Sequence, residues 1–152
     1  MKILYVIIMM LFLGMVSCSE DNLKGYSSSN CIQFDKLSKD STVFSFAYDE
    51  TLESGTVALK LVMISPVVDR DRKYNVKFLQ DESSAQAGVD FEMPAEEQVI
   101  AANDSVAYLN VIVKRNKALK GSAIAVFEVQ VSDDFMPGIE ANRKGRIFIT
   151  NQ

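Results

Sequence analysis

Residues 105–114, SVAYLNVIVK, decide the fold class of this chain. Apolar side chains occupy every second position from Ala107 to Val113, and the positions between them include Tyr108 and Asn110. Successive side chains of a β-strand point to opposite faces, so this period of two predicts a strand with one face in a core and the other toward solvent.

The same alternation recurs on both sides of this stretch, in segments rich in β-branched and aromatic residues. It predicts five further strands, over residues 42–48, 56–64, 72–80, 123–131 and 145–150. Two shorter candidate strands cover residues 32–36 and 98–101. Turn-forming pairs separate the segments, among them Ser65-Pro66, Asn103-Asp104 and Lys120-Gly121.

No segment shows the 3.6-residue periodicity of an amphipathic helix. Seven or eight strands with one core face each form either two stacked sheets or a closed barrel, and the turn spacing favours the first. We therefore predict an all-β fold, a two-sheet immunoglobulin-like β-sandwich over residues 31–152. The predicted core contains Leu59, Leu61, Val76, Phe78, Leu109, Val111, Phe127, Val129 and Ile147.

Composition excludes several function classes. The chain has 152 residues, enough for one domain, and its net charge of -4 argues against nucleic-acid binding, which needs clustered positive charge. It contains no His, the usual general base, and only two Cys. No nucleophile motif or phosphate-binding loop is present. We therefore expect a protein that is not an enzyme and holds no cofactor.

The first 17 residues, MKILYVIIMMLFLGMVS, have the composition of an export signal. Lys2 is their only charge, and the apolar run that follows is too short for a comfortable transmembrane helix, which needs about 20 apolar residues. A positive start, a short apolar stretch and a small residue before the cleavage point are typical of a signal peptide.

The residues at the cleavage point, MVSC at 15–18, resemble a bacterial lipobox, with Met15 where Leu is usual. The resemblance implies that Cys18 carries a diacylglycerol and an acylated amino group. Several acyl chains, each methylene contributing about 0.8 kcal/mol on burial, would anchor the protein permanently in the lipid of the outer membrane. The alternative is an ordinary secreted protein in which Cys18 lies near the cleavage point by chance.

A short acidic run follows the cysteine. Ser19, Glu20 and Asp21 resemble the export signal of Bacteroidota lipoproteins, which implies display on the outer face of the outer membrane. The alternative is that the two carboxylates only keep the segment soluble. Residues 18–30 are too polar to bury a core face, and they predict a lipidated N-terminus followed by a flexible tether.

Several segments resemble a domain of unknown function that is common in Bacteroidota lipoproteins. They are SFAYDE (45–50), VDRDRKYNV (68–76), AQAGVDFEMP (85–94), VIAANDSVAYLNVIVKR (99–115), DDFMPG (133–138) and GRIFIT (145–150). That family in turn resembles Calx-beta domains, in which an Ala-x-x-Gly-x-Asp-aromatic stretch precedes a strand; Ala85, Gly88, Asp90 and Phe91 occupy comparable positions. The resemblance implies a Calx-beta-like sandwich. It also implies an accessory role in binding or uptake, because such lipoproteins are often encoded beside outer-membrane uptake systems of the starch-utilisation type.

Calx-beta domains can bind calcium through acidic loops, so the acidic clusters are the candidates for a metal site. In residues 69–72, DRDR, two arginines neutralise both carboxylates, which favours a solvated turn with exposed ion pairs. The remaining candidate ligands are Asp90, Asp133 and Asp134. Asp90 and Asp134 would form a weak hard-cation site if they met at one end of the sandwich. The favoured interpretation is turn chemistry, in which Asp side chains accept hydrogen bonds from backbone N–H groups at strand ends.

The remaining candidates for ligand binding are one thiol and three phenol rings. Cys31 alternates with Ile32 and Phe34 and is expected on the opposite face, in a structural role. Sugars stack on exposed aromatic rings, and the candidate platforms are Tyr48, Tyr74 and Tyr108. Tyr108 opposes the apolar face of its strand and is therefore the one for which exposure is expected, although cross-strand packing is its favoured role.

Taken together, these features predict a non-catalytic cell-surface lipoprotein. Its expected role is that of an accessory binding or interaction module of an outer-membrane nutrient-uptake system, with uptake proteins or a glycan as partner. The alternative is a structural or adhesive spacer domain on the cell surface.

Overall fold

The computed structural model describes residues 30–35 and 41–151. These residues contain nine strands and two single 3₁₀ turns, Gln80–Glu82 and Glu140–Asn142. The strands are β1 (Cys31–Phe34), β2 (Ser41–Ser45), β3 (Ser54–Ile64), β4 (Arg72–Phe78), β5 (Glu97–Ile100), β6 (Val106–Lys114), β7 (Ser122–Gln130), β8 (Met136–Pro137) and β9 (Lys144–Thr150). Within the described part of the chain, no helix is long and apolar enough to cross a membrane.

The strands form two sheets, which confirms the predicted all-β sandwich. One sheet has the order β6-β3-β1-β8 and the other the order β2-β9-β7-β4-β5. The pairs β1–β8 and β2–β9 are parallel, and the remaining ladders are antiparallel. Sequence alternation predicted seven or eight strands and missed β8, because a two-residue strand is too short to show a period of two.

The core lies between the two sheets and contains the predicted residues. Eight of them are fully buried, and Phe78 is half-buried against the same cluster. The longest ladder pairs Ser54 with Lys114 and runs to Val62 opposite Val106, so the alternating faces of β3 and β6 coincide. This match of register and pattern is what the period of two in residues 105–114 requires.

The predicted strand at 42–48 is too long. β2 ends at Ser45, and the chain then turns. Phe46 still points into the core and is completely buried, but Tyr48, which the alternation placed on the same face, is 93% exposed. Period-two reasoning fails there because the backbone of residues 46–53 is no longer extended.

The sandwich has two ends that matter for the site. At one end, called here the Arg72 end, β3 finishes and β4 begins. At the other, the Arg115 end, β3 begins and β6 finishes. The sheets approach closely at Gly145, where an added Cβ would lie 2.8 Å from the Phe34 ring, so a side chain at this position would force the two apart.

Candidate functional site

The predicted lipidation site, Cys18, and the predicted export signal, Ser19, Glu20 and Asp21, lie outside the described residues. The predicted signal peptide, 1–17, also lies outside them, as does the predicted tether, 18–30, apart from Asn30.

Asp90 is a buried carboxylate that organises a turn. It is 3% exposed, and its Oδ2 accepts a 2.7 Å hydrogen bond from the Gln86 backbone N–H. Its Oδ1 accepts a second 2.7 Å bond from Asn116 Nδ2. Gly88 supplies the positive φ of 83° that this turn needs, and Phe91 beyond it enters the core. The Ala-x-x-Gly-x-Asp-aromatic stretch therefore anchors the β4–β5 connection in the sandwich.

Asp134 is also occupied by protein donors. Its Oδ1 lies 2.6 Å from Arg70 Nη2, and its Oδ2 accepts a 2.8 Å bond from the Lys73 backbone N–H. The hydrogen bond from Arg70, supported by the Lys73 amide, holds the pKa of Asp134 below its ordinary value. The neighbouring Asp133 is exposed.

The structure does not bring Asp90 and Asp134 together, so the alternative in which they meet at one end to bind a cation is wrong. Asp90 bonds to Asn116, just beyond the end of β6, and therefore lies at the Arg115 end. Asp134 bonds to Lys73, at the start of β4, and therefore lies at the Arg72 end. Among the described residues, no group of three or more His, Cys, Asp or Glu is placed to hold a metal ion.

Arg72 is not part of a solvated turn, in contrast to the expectation for residues 69–72. It is 2% exposed and donates to Ser65 Oγ at 2.7 Å, to the Pro66 carbonyl at 3.2 Å and to the Asp104 carbonyl at 3.0 Å. Its guanidinium carbon also lies 5.0 Å from the centroid of the Phe135 ring. This side chain ties three loops together at its end of the sandwich. Arg70 in the same segment forms its ion pair with Asp134.

The remaining sequence candidates divide by exposure. Cys31 is buried, on the strand face opposite Ile32 as expected. Tyr74 is 1% exposed, and burial raises its pKa to about 12, so it is no sugar platform. Tyr108 is 52% exposed, as expected from its position opposite the apolar face of its strand, and Tyr48 is more exposed still.

The turn that carries Tyr48 is held by hydrogen bonds between its own residues. Asp49 Oδ1 accepts hydrogen bonds from the backbone N–H of Thr51 at 2.9 Å and from its hydroxyl at 2.6 Å. The Asp49 and Leu52 amides donate to the Phe46 and Asp49 carbonyls. These bonds fix the path of residues 46–52 and leave the Tyr48 ring projecting into solvent.

Arg115, which follows β6 at the same end of the sandwich, also holds this turn. Its Nε donates to the Leu52 carbonyl at 2.7 Å, and its Nη2 donates to the carbonyls of Phe46, at 2.8 Å, and Asp49. A guanidinium presents its donors in a rigid fork, so one side chain fixes three carbonyls at once. The result is a preorganised loop whose outermost side chain is an aromatic ring.

A groove lies at a different part of the surface, between the end of β4 and the segment returning to β5. Two adjacent depressions, of about 370 and 560 Å³, share Phe78, Gln80 and Met93 as lining residues. Pro94 and Lys77 border the first depression, which reaches the buried side chain of Phe127.

Sequence reasoning missed both Arg115 and the groove. Arg115 follows directly after β6, and nothing in its neighbours indicates that its partners are carbonyls 63 to 69 positions away. The groove depends on the path of a connection between two strands, which residue periodicity does not report. A local signal was available only in Pro94, which cannot donate to a ladder and so marks a break in strand pairing.

Solved structures with the same fold come from two kinds of protein. The apo Calx CBD1 domain is 9% identical, with a TM-score of 0.59 over 82% of this chain and 99% of that one. A two-domain protein of unknown function from Bacteroides fragilis is 9% identical, with a TM-score of 0.58 over 90% of this chain and 51% of that one. A putative carbohydrate binding protein from Bacteroides ovatus is 12% identical, with a TM-score of 0.52 over 79% of this chain and 36% of that one.

These likenesses confirm the expected Calx-beta-like sandwich. The chain spans about half of the Bacteroides fragilis protein and about a third of the Bacteroides ovatus one. None of the three is named as an enzyme. No curated protein is significantly similar in sequence. The model of the family described as Domain of unknown function (DUF4843) matches residues 24–152, and the chain therefore belongs to that family.

Proposed function

We propose that this protein is a non-catalytic lipoprotein of the cell surface that binds a glycan through Tyr48, as an accessory module of an outer-membrane nutrient-uptake system. Cys18 is the proposed lipid attachment point, and Ser19, Glu20 and Asp21 are the proposed signal for surface display. The proposed partners are the lipid of the outer membrane, the glycan and the proteins of the uptake system.

The observation that carries the proposal is the exposure of Tyr48 on a braced loop. Its ring is 93% exposed, whereas the backbone beneath it is fixed by Arg115 and Asp49. Burying an aromatic ring against a ligand contributes a large apolar contact at a low cost in side-chain entropy. A loop that is already ordered adds little further entropy cost on binding, which favours a recognition role for this ring.

The chemistry of the loop suits a pyranose ring. The apolar face of a sugar can stack on the tyrosine ring, and the phenol oxygen can hydrogen-bond to a sugar hydroxyl. Glu50, two positions further along the same loop, is exposed and offers a carboxylate as a further acceptor. The loop contains no nucleophilic side chain with a general base beside it, so the proposal involves binding without bond cleavage. The Bacteroides ovatus neighbour is named for carbohydrate binding, which lends support from the same fold.

The test is binding of the detergent-purified full chain to an array of plant, bacterial and host glycans. We expect a defined set of glycans to be retained, and we expect Tyr48→Ala to lower their affinity by about ten-fold or more, as for an aromatic anchor. Tyr48→Phe keeps the stacking face and should retain most of the affinity. Tyr108→Ala is the matched control, because it removes another exposed tyrosine from a different surface.

Two results would contradict the proposal. Glycans that bind wild type and Tyr48→Ala equally would place the site elsewhere. An array on which nothing binds would favour the second role predicted from the sequence, a structural or adhesive spacer.

A further inference from the structure

We infer that the groove at the end of β4 binds an extended peptide segment of a partner protein by strand addition. This second site is independent of the glycan platform at Tyr48, because the two surfaces share no residue. The groove would allow the module to hold a partner protein while its loop binds a ligand.

The backbone groups of Phe78 point away from β7 and toward the groove. The Leu79 amide donates to the Val126 carbonyl at 2.9 Å, on the β7 side, whereas the Val76 amide donates to the Glu96 carbonyl at 2.9 Å, on the opposite side. Along a strand these directions alternate, so the N–H and C=O of Phe78 point the same way as those of Val76. They therefore face the groove.

The β4–β5 ladder ends before it reaches Phe78. Asn75 is opposite Glu97, and in this register the residue opposite Phe78 would be Pro94. Proline has no N–H to donate, and the last bond of this ladder in the described part of the chain is that from Val76. The N–H and C=O of Phe78 thus have no ladder partner among the described residues, and unpaired groups on a strand edge are a template for pairing with another chain.

An apolar slot lies beside this edge of β4. A residue paired opposite Phe78 would direct its side chain to the same face as Phe78. On that face the Phe78 ring packs 5.7 Å from the Phe127 ring, centroid to centroid, and Met93 borders the opening with 53% of its surface exposed. The peptide must therefore present one apolar side chain to this slot.

The positive charge of Lys77 at the border of the groove determines which peptide residue is favoured beside the apolar one. The neighbouring Lys73 is paired with Glu97 at 2.9 Å, and Lys144 is paired with Glu82. Lys77, which also lines the groove, has no carboxylate partner among residues 30–35 and 41–151. An acidic residue next to the apolar anchor would supply one. A peptide meets all three requirements, since a glycan offers no regular series of N–H and C=O groups to a strand edge.

The experiment uses a phage-displayed library of random nonapeptides, selected on the detergent-purified full chain and on its Met93→Asp variant. The substitution places a carboxylate at the mouth of the slot, where Met93 is too exposed to be needed for folding. We expect wild type to enrich peptides with an apolar residue beside Asp or Glu. The best of them should bind Met93→Asp about ten-fold more weakly or worse. Val67→Asp is the matched control, with 52% exposure at the Arg72 end, and should bind as wild type does.

Amide hydrogen exchange separates strand addition from other binding. The selected peptide should slow exchange of the Phe78 amide and leave the loop of Tyr48 unchanged, and Lys77→Glu should shift the selection toward basic residues. The inference would be overturned if wild type enriched no peptides that Met93→Asp does not also enrich. It would also be overturned if a bound peptide left the Phe78 amide unprotected. Because Tyr48→Ala should not affect the peptide, failure here leaves the glycan proposal standing, and the reverse also holds.

Discussion

The guanidinium carbon of Arg115 lies 5.0 Å from the centroid of the Phe46 ring, and Arg115 Nη2 donates a 2.8 Å hydrogen bond to the Phe46 carbonyl. The ring is completely buried, so the guanidinium covers one edge of the core while it fixes the start of the turn. Core packing and the presentation of Tyr48 therefore depend on the same side chain.

Substitution of Arg115 should affect both stability and the loop. Arg115→Ala leaves three carbonyls without their shared donor, and we expect a loss of about 2–4 kcal/mol in the free energy of unfolding, measured by chemical denaturation. Arg115→Lys keeps the charge but loses the fork, so it should recover only part of the loss. Amide exchange of residues 49–52 should accelerate in both variants. A fully stable Arg115→Ala protein with an unchanged loop would show that the brace is dispensable.

The strands could be predicted because each sheet has one face in the core and one toward solvent. The predicted 56–64 and 105–114 differ by one or two residues from β3 and β6, since the ladder enforces the same alternation that the sequence displays. The prediction for 42–48 ran past Ser45 because Phe46 continues the alternation. Its ring lies in the core cluster and is covered by Arg115, a long-range contact that local periodicity does not contain.

The two arginines of residues 69–72 should differ sharply. Arg72→Ala removes a buried side chain and leaves the Pro66 and Asp104 carbonyls without their donor, so we expect a loss of about 3 kcal/mol in the free energy of unfolding. Arg70→Ala removes an exposed ion-pair partner and should cost much less. Urea denaturation of the two variants provides the comparison. Equal losses would mean that Arg72 does not act as the tie between the loops.

For the acidic candidates, the sequence predicted the chemistry of single residues better than their placement. That Asp90 and Asp134 accept bonds from backbone N–H groups is what turn chemistry leads one to expect. Their separation to opposite ends follows from the strand order, which a single sequence does not specify. Arg72 shares its strand face with Tyr74 and Val76, and this alternation is the local signal for an inward side chain that the interpretation of residues 69–72 as a solvated turn did not use.

The free energy of unfolding should depend on pH through the carboxyl group of Asp134. Its pKa in the folded protein is held below the ordinary value of 3.8, chiefly by the hydrogen bond from Arg70. The stabilising contribution is therefore fully present above pH 3.8 and is lost as the pH falls through the lower folded-state pKa. Asp134→Asn should be less stable than wild type at pH 7, and the difference should shrink below pH 3.8. A difference independent of pH would show that the carboxylate charge contributes nothing.

Membrane attachment is tested at Cys18. Cys18→Ser should abolish acylation and move the protein from the detergent phase to the aqueous phase in phase partitioning. Replacing Glu20 and Asp21 by Ala should leave acylation intact but lower the amount that added protease releases from intact cells. Unchanged partitioning of Cys18→Ser would contradict the lipid anchor, and wild type that resists protease until cells are lysed would contradict surface display.

The central claim, glycan binding at the cell surface through Tyr48, is tested most directly on intact cells with a fluorescent form of a glycan retained on the array. Cells that display equal amounts of wild type, Tyr48→Phe and Tyr48→Ala are compared by flow cytometry. We predict similar retention by wild type and Tyr48→Phe, and a loss of about ten-fold or more for Tyr48→Ala. Retention by Tyr48→Ala equal to that of wild type would contradict the account.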